Sequence, residues 1–195
     1  MNMKLSRKLG AAAMVAALLA PLGAQAESTT ATGPGTLVTS ARLDFQITIP
    51  RFLSLRVGPT GSGVFSLIDF NVLSVGSGAV AGVGGDAGAG AVNAAVVSNV
   101  GAVSLLATNG GALNDGGANT ISWSQITTAS TNPSLPAPVL ANTTSAAVSI
   151  PVVAGVVNQS SIWTYTFANS AVVVPGTYGG VGVRNGRLTY TATSP

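Results

Sequence analysis

LDFQITIPRFLSLRVG, residues 43–58, sets Leu43, Phe45, Ile47, Ile49, Leu53, Leu55 and Val57 on one side of an extended chain, and Asp44, Gln46, Thr48, Ser54 and Arg56 on the other. Successive side chains of a strand point to opposite faces, so this period of two predicts a half-buried β-strand over Leu43–Val57. Two residues disturb it. Pro50 has no N–H to give to a ladder, and Arg51 stands in the apolar row; proline in sheets is confined to edges, strand starts and bulges. The segment therefore reads as a long first strand bent at Pro50, passing between sheets or lying on an edge. Arg51 is expected either to pair with an aspartate or to discourage unwanted pairing by placing charge on the inward side. Leu43, Phe45, Ile47, Ile49, Pro50, Arg51 and Leu53 form a candidate assembly edge.

Downstream, the same period recurs in short pieces. VFSLIDFNV (64–72) is apolar on both faces and predicts a buried strand. The Gly/Ala-dominated run 73–95 has little side-chain surface to pack and predicts a long loop or a poorly specified strand pair. Strand signals return at 96–109, 120–127, AAVSIPVV (146–153), WTYTFAN (163–169), AVVV (171–174) and RLTYTAT (187–193), with Trp163, Tyr165 and Phe167 sharing a face by parity. Asn185-Gly186 predicts a type I′ hairpin turn between GVGVR and RLTYT. No sustained 3.6-residue pattern appears after the first residues, and no internal repeat of 20–50 residues. The expected fold is all-β, an antiparallel β-sandwich of the immunoglobulin-like kind, with a closed barrel as the alternative.

The N-terminus reads differently. Lys4, Arg7 and Lys8, an apolar run from Leu9 to Leu22, and Ala24-Gln25-Ala26 together predict a secretory signal peptide, 1–26. A polar, Gly/Pro-punctuated arm at 27–40 is expected to be extended, and the sandwich domain to span 41–195. Without the leader, Arg42, Arg51, Arg56, Arg184 and Arg187 balance Glu27, Asp44, Asp69, Asp86 and Asp115. No lysine follows Lys8, so nucleic acid and anionic membrane lack the basic cluster they require and are not expected partners. A near-neutral surface favours association.

Histidine and cysteine are absent, which removes thiol catalysis, His-based triads and the usual zinc sites. No enzymatic activity, cofactor or metal is expected. A two-carboxylate hydrolase remains as a minor alternative, but Asp44 sits on a polar strand face, Asp69 is expected to pair with an arginine, and Asp86 and Asp115 adjoin glycines as turn residues do. Trp123, Trp163, Tyr165 and Tyr178 could form a sugar-stacking platform, making a monomeric carbohydrate-binding module with a glycan ligand the main alternative; core packing is the plainer reading of strand aromatics. Tyr178, in PGTY (175–178), is a candidate tyrosine corner, its hydroxyl tied back to nearby backbone.

PGTYGGVGVRNGRLTYTATSP, residues 175–195, resembles the closing segment of bacterial fimbrial, pilin-like surface subunits, in which such a turn leads into a last Thr/Tyr-rich strand. The resemblance implies an exported structural or adhesive subunit, located in the periplasm, on the cell surface or in an extracellular fibre. It also implies self-association or binding to another surface subunit, by addition of an N-terminal strand to a neighbour's sheet.

Overall fold

The computed structural model describes residues 28–61 and 63–195; the expected leader lies outside the described residues. The chain divides after Ile49, into Met1–Ile49 and Pro50–Pro195.

Residues 28–49 contain no strand. The Thr29 hydroxyl donates to the Ser40 carbonyl at 2.7 Å and the Thr39 hydroxyl to the Thr29 carbonyl at 2.8 Å, across bends at 33–35. The expected extended arm thus doubles back: Gly33-Pro34-Gly35 supplies the reversal and the flanking threonines close it.

From Pro50 onward the chain is all-β. The strands are β1 (Leu53–Val57), β2 (Ile68–Asp69), β3 (Val80–Ala81), β4 (Val83–Gly84), β5 (Ala91–Ser98), β6 (Val103–Thr108), β7 (Leu113–Asn114), β8 (Thr120–Ile121), β9 (Ile126–Ser130), β10 (Val148–Ile150), β11 (Val157–Phe167) and β12 (Thr189–Thr193), with one 3-10 turn at Trp123–Gln125. All pairings are antiparallel. The larger sheet runs β1-β5-β11, with β9 on the far side of β11 and β3 at its end; the smaller runs β10-β6-β12. Two two-stranded ribbons, β2-β4 and β7-β8, lie beside them.

The two sheets bury their facing rows in one core. Val92, Ala94 and Val96 of β5 and Val157, Trp163, Tyr165 and Phe167 of β11 meet Val103, Leu105 and Ala107 of β6 and Ile150 of β10. Trp163 is fully buried, its ring 5.2 Å from that of Tyr190 on the opposite sheet. The arrangement is the expected sandwich, not a closed barrel.

Several expected elements come out differently. The strand expected over 120–127 is split into β8, the 3-10 turn and the start of β9, and that over 96–109 breaks at 99–102 between β5 and β6. The strand over Leu43–Val57 is paired only at Leu53–Val57. The ladder with β5 stops because Asn99 takes the next backbone groups: its Nδ2 donates to the Pro50 carbonyl (2.8 Å), and its Oδ1 accepts the Phe52 N–H (2.7 Å). Beyond them Pro50 has no donor to offer. Residues 64–72 keep their alternation, but only Ile68–Asp69 pairs, and Val64, Phe65 and Leu67 are exposed rather than buried. The Gly/Ala run is not a loop throughout, since its last five residues begin β5, the strand between β1 and β11. Just before β5, glycine is required because neighbouring backbone comes too close for any side chain: a Cβ on Gly90 would lie 2.6 Å from Gly82 backbone atoms. AVVV forms no strand, and Val172 and Val174 are exposed.

The expected hairpin does not form: β12 pairs with β6, and what remains at this point is a single tight turn centred one residue earlier than Asn185-Gly186. Gly186 N–H donates to the Val183 carbonyl at 2.8 Å, and the two central residues with positive φ are Arg184 (51°) and Asn185 (59°), the type I′ pattern. GVGVR is not a strand on its near side.

Candidate functional site

The sandwich is closed differently along its two long sides. On one, residues 131–147 cross from β9 to β10 and drop Leu135 and Leu140 into the core, both almost wholly buried. Leu135 is fixed there by its carbonyl, which accepts Trp163 Nε1–H at 3.1 Å and the Ser130 hydroxyl at 2.8 Å. Ser145 stitches the same crossing to β6, its N–H donating to the Ala107 carbonyl and its Oγ accepting the Ala107 N–H.

On the other side, β1 and β12 are the edge strands of the two sheets and lie against each other. Each has a single strand partner among the described residues, β5 and β6 respectively. Their core-facing rows, Leu53, Leu55 and Val57 on β1 and Tyr190 and Ala192 on β12, are only half-buried, whereas the rows of β5 and β6 are fully covered. This is the less covered flank of the core.

Beside it the chain enters the domain under tight control. Asn99 holds Pro50 and Phe52 by its side chain, and its own N–H donates to the Phe52 carbonyl at 3.2 Å. Arg51 does not pair with an aspartate; its Nη2 donates to the carbonyl of Pro195, just past the end of β12. Asn99 was not singled out in the sequence, where an asparagine ending a strand reads as an ordinary turn residue.

The candidate edge residues separate into two groups. Pro50, Arg51 and Leu53 lie at this entry, with Leu53 half-buried on β1. Leu43, Phe45, Ile47 and Ile49 belong to the first unit, in backbone that forms no strand among the described residues; Phe45 and Ile47 are each 85% exposed, and Leu43 and Ile49 more than half exposed. Four large apolar groups at i, i+2, i+4 and i+6 make a strand face without a sheet.

Other candidates fall into structural roles. Trp123, Trp163 and Tyr165 are buried, and Trp123 Nε1–H donates to the Gly111 carbonyl at 2.9 Å. These three rings offer no sugar platform. Tyr165 and Tyr190 share a 2.8 Å hydroxyl–hydroxyl bond; burial pushes Tyr165 up to about 12 and Tyr190 well above the usual phenol range. The Tyr178 hydroxyl donates to the Val174 carbonyl at 2.8 Å, the tie-back of a tyrosine corner.

The aspartates are likewise structural or isolated. Asp86 accepts from Asn93 N–H (3.0 Å) and Nδ2 (2.9 Å), tying a turn to β5. Asp115 accepts from Asn119 Nδ2 (2.7 Å) and Gly117 N–H (2.8 Å), bonds that hold its carboxyl below the usual range. Asp69 is exposed. Among the described residues no cluster of three or more His, Cys, Asp or Glu could hold a metal, and no helix is long and apolar enough to cross a membrane. An open concavity of about 300 Å³ is lined by Arg56, Asn93, Thr131 and Ser160, among others, and carries one cation. No protein-family model, curated protein or solved structure matches the chain.

Proposed function

We propose that the protein is an exported, non-enzymatic structural or adhesive subunit that assembles by β-strand addition into a fimbria-like fibre. The observation that carries this reading is the exposed apolar row Leu43, Phe45, Ile47 and Ile49, alternating with polar residues in backbone that joins no sheet among the described residues. Main-chain groups and a one-sided apolar face are what an added strand brings to a neighbour's sheet. An exposed row of this kind in a chain whose charges balance from residue 27 onward favours association over staying monomeric.

The test is the state of the protein from residue 27 onward, purified and followed by size-exclusion chromatography and electron microscopy over a concentration series. Assembly predicts filaments or concentration-dependent oligomers. Monomers throughout, with affinity for a glycan on an array, would replace this reading with the carbohydrate-binding module, whose ligand would then lie in the concavity beside Arg56.

A further inference from the structure

We infer that the concavity on the outward face of the larger sheet is a ligand site, and that its ligand is a sugar bearing one carboxylate, a uronic acid, held with its acid group on Arg56. The inference gives the adhesive role a receptor chemistry and stands separately from assembly.

Alternation and register place the site. Leu55 and Val57 of β1, Ala94 and Val96 of β5, and Val157 and Trp163 of β11 turn toward the core, so Arg56, Ala95 and Ser160 point the other way. Arg56 and Ser160 both stand opposite Ala95, which sets the three in one row across the sheet. Arg56 and Ser160 are therefore two strand spacings apart, about 10 Å, with only a methyl group between them. Asn93 and Ile162 face each other in the next row, and Thr131 closes the end, its N–H donating to the Ile162 carbonyl at 3.1 Å. The trough so formed holds about 300 Å³, the small end of ligand sites and enough for one sugar ring.

The groups around it are free to bind. Elsewhere in the domain Arg51 donates to the Pro195 carbonyl, Arg184 to the Thr177 carbonyl at 2.9 Å, and Arg187 lies 4.5 Å from the centre of the Phe65 ring. Among the described residues Arg56 has no hydrogen-bond or ion-pair partner, and neither do the Ser160 hydroxyl and Asn93 Oδ1. Asn93 is set in place by Asp86, which takes its N–H at 3.0 Å and its Nδ2–H at 2.9 Å and leaves Oδ1 as an acceptor.

This set of groups selects its ligand. A guanidinium presents paired N–H donors that match the two oxygens of a carboxylate. The Ser160 hydroxyl and Asn93 Oδ1 can exchange hydrogen bonds with ring hydroxyls, and Ile162, 40% exposed, offers apolar surface to the C–H face of the ring. A polyanion would meet a single cation with the Asp86 carboxylate beside Asn93. A neutral sugar would draw nothing from the charge of Arg56.

The experiment titrates the chain from residue 27 by calorimetry with glucuronic acid, galacturonic acid, glucuronic acid methyl ester, glucose and glucose 6-sulfate. At least one uronic acid is expected to bind, with the ester, the neutral sugar and the sulfate each about 10-fold weaker or more. Arg56→Gln should lower affinity for the acid about 10- to 100-fold and erase the preference for acid over ester. Arg56→Lys should keep that preference at reduced affinity, because the charge stays and the fork is lost. Ser160→Leu, which fills the trough without changing charge, should abolish binding; Arg187→Gln, which removes a charge elsewhere, should bind as the parent does. Circular dichroism checks that each variant is folded.

Equal affinity for acid and ester, parent-like binding by Arg56→Gln or Ser160→Leu, or no heat from either uronic acid up to about 10 mM would overturn the site. Glucose 6-sulfate bound as tightly as the acid would overturn the carboxylate assignment. Assembly is scored on the same samples by electron microscopy. Uronic acid binding by a chain that stays monomeric would leave this site standing without the fibre, and filaments with no uronic acid affinity would do the reverse.

Discussion

Gly186→Ala should be among the most damaging single-methyl changes in the domain. The position has no positive φ to excuse its glycine, so the reason must be space. A Cβ there would lie 2.3 Å from both the N and the O of Gly180, and 3.0 Å from the Gly179 carbonyl carbon. Ordinary contact is roughly 3.4 Å, so two backbone segments must separate by about 1 Å, and neither can swing away as a side-chain end could. Such overpacking costs about 3 kcal/mol, at the upper end of the usual range because the obstacle is main chain. The matched control is Gly155→Ala, where φ is 81° and nothing lies within 4 Å of the new methyl; left-handed strain alone predicts about 1–2 kcal/mol there. Urea unfolding followed by tryptophan fluorescence reads both. With an m-value of about 2 kcal/mol/M, Gly186→Ala should lower the midpoint by about 1.5 M and Gly155→Ala by less than 1 M. Equal shifts, or a smaller one for Gly186→Ala at unchanged m, would refute the close-approach argument.

Three further outcomes test other parts of the structure. Asn99→Ala should destabilise the domain by about 1–2 kcal/mol, through two side-chain bonds to Pro50 and Phe52, with hydrogen-exchange protection lost first at Phe52; unchanged protection there would remove its role as the entry clamp. Tyr165 keeps its proton in the folded protein to about pH 12, while the unfolded chain ionises near pH 10. Stability is therefore intact below about pH 10 and falls between there and about 12, by roughly 1.4 kcal/mol per pH unit for this group; a urea midpoint that stays level from pH 9 to 11.5 would contradict it. Trp163→Phe removes the indole donor to the Leu135 carbonyl and leaves a void, so a loss of about 2–4 kcal/mol is expected in the same urea assay, and a loss below 1 kcal/mol would show that Leu135 is held by other means.

The all-β class was legible because alternation is local: Trp163, Tyr165 and Phe167 face the core as their parity requires. So does Leu53, Leu55, Val57 as one row of β1. What alternation does not carry is whether a strand finds a partner. Leu43–Ile49 and Leu53–Val57 have the same pattern, yet among the described residues only the second is paired, because the side chain of Asn99, 47 and 49 residues downstream of Phe52 and Pro50, caps the backbone at their junction. Burial by neighbours is also non-local. Residues 91–95 look featureless in sequence, and become sheet because β11 pairs with all of them and β1 joins on the other side from Ala94 on. The turn near Asn185 was recognisable by composition, but its register shifted by one since Gly186 is needed for contact with Gly180 rather than for its φ.

The close backbone approaches around Gly82, Gly85, Gly90 and Gly186 bear on how this chain tolerates change over evolutionary time. At Gly85 even one methyl would fall 2.0 Å from the Ala91 carbonyl oxygen, whereas Leu73 and Val172, both largely exposed, have room for many alternatives. A saturation mutagenesis map should therefore invert the usual expectation that large apolar residues are constrained and low-complexity runs drift freely. The stretch that looks most degenerate on paper is the one where substitutions are filtered most severely, and diversity should accumulate on the bulky exposed positions instead.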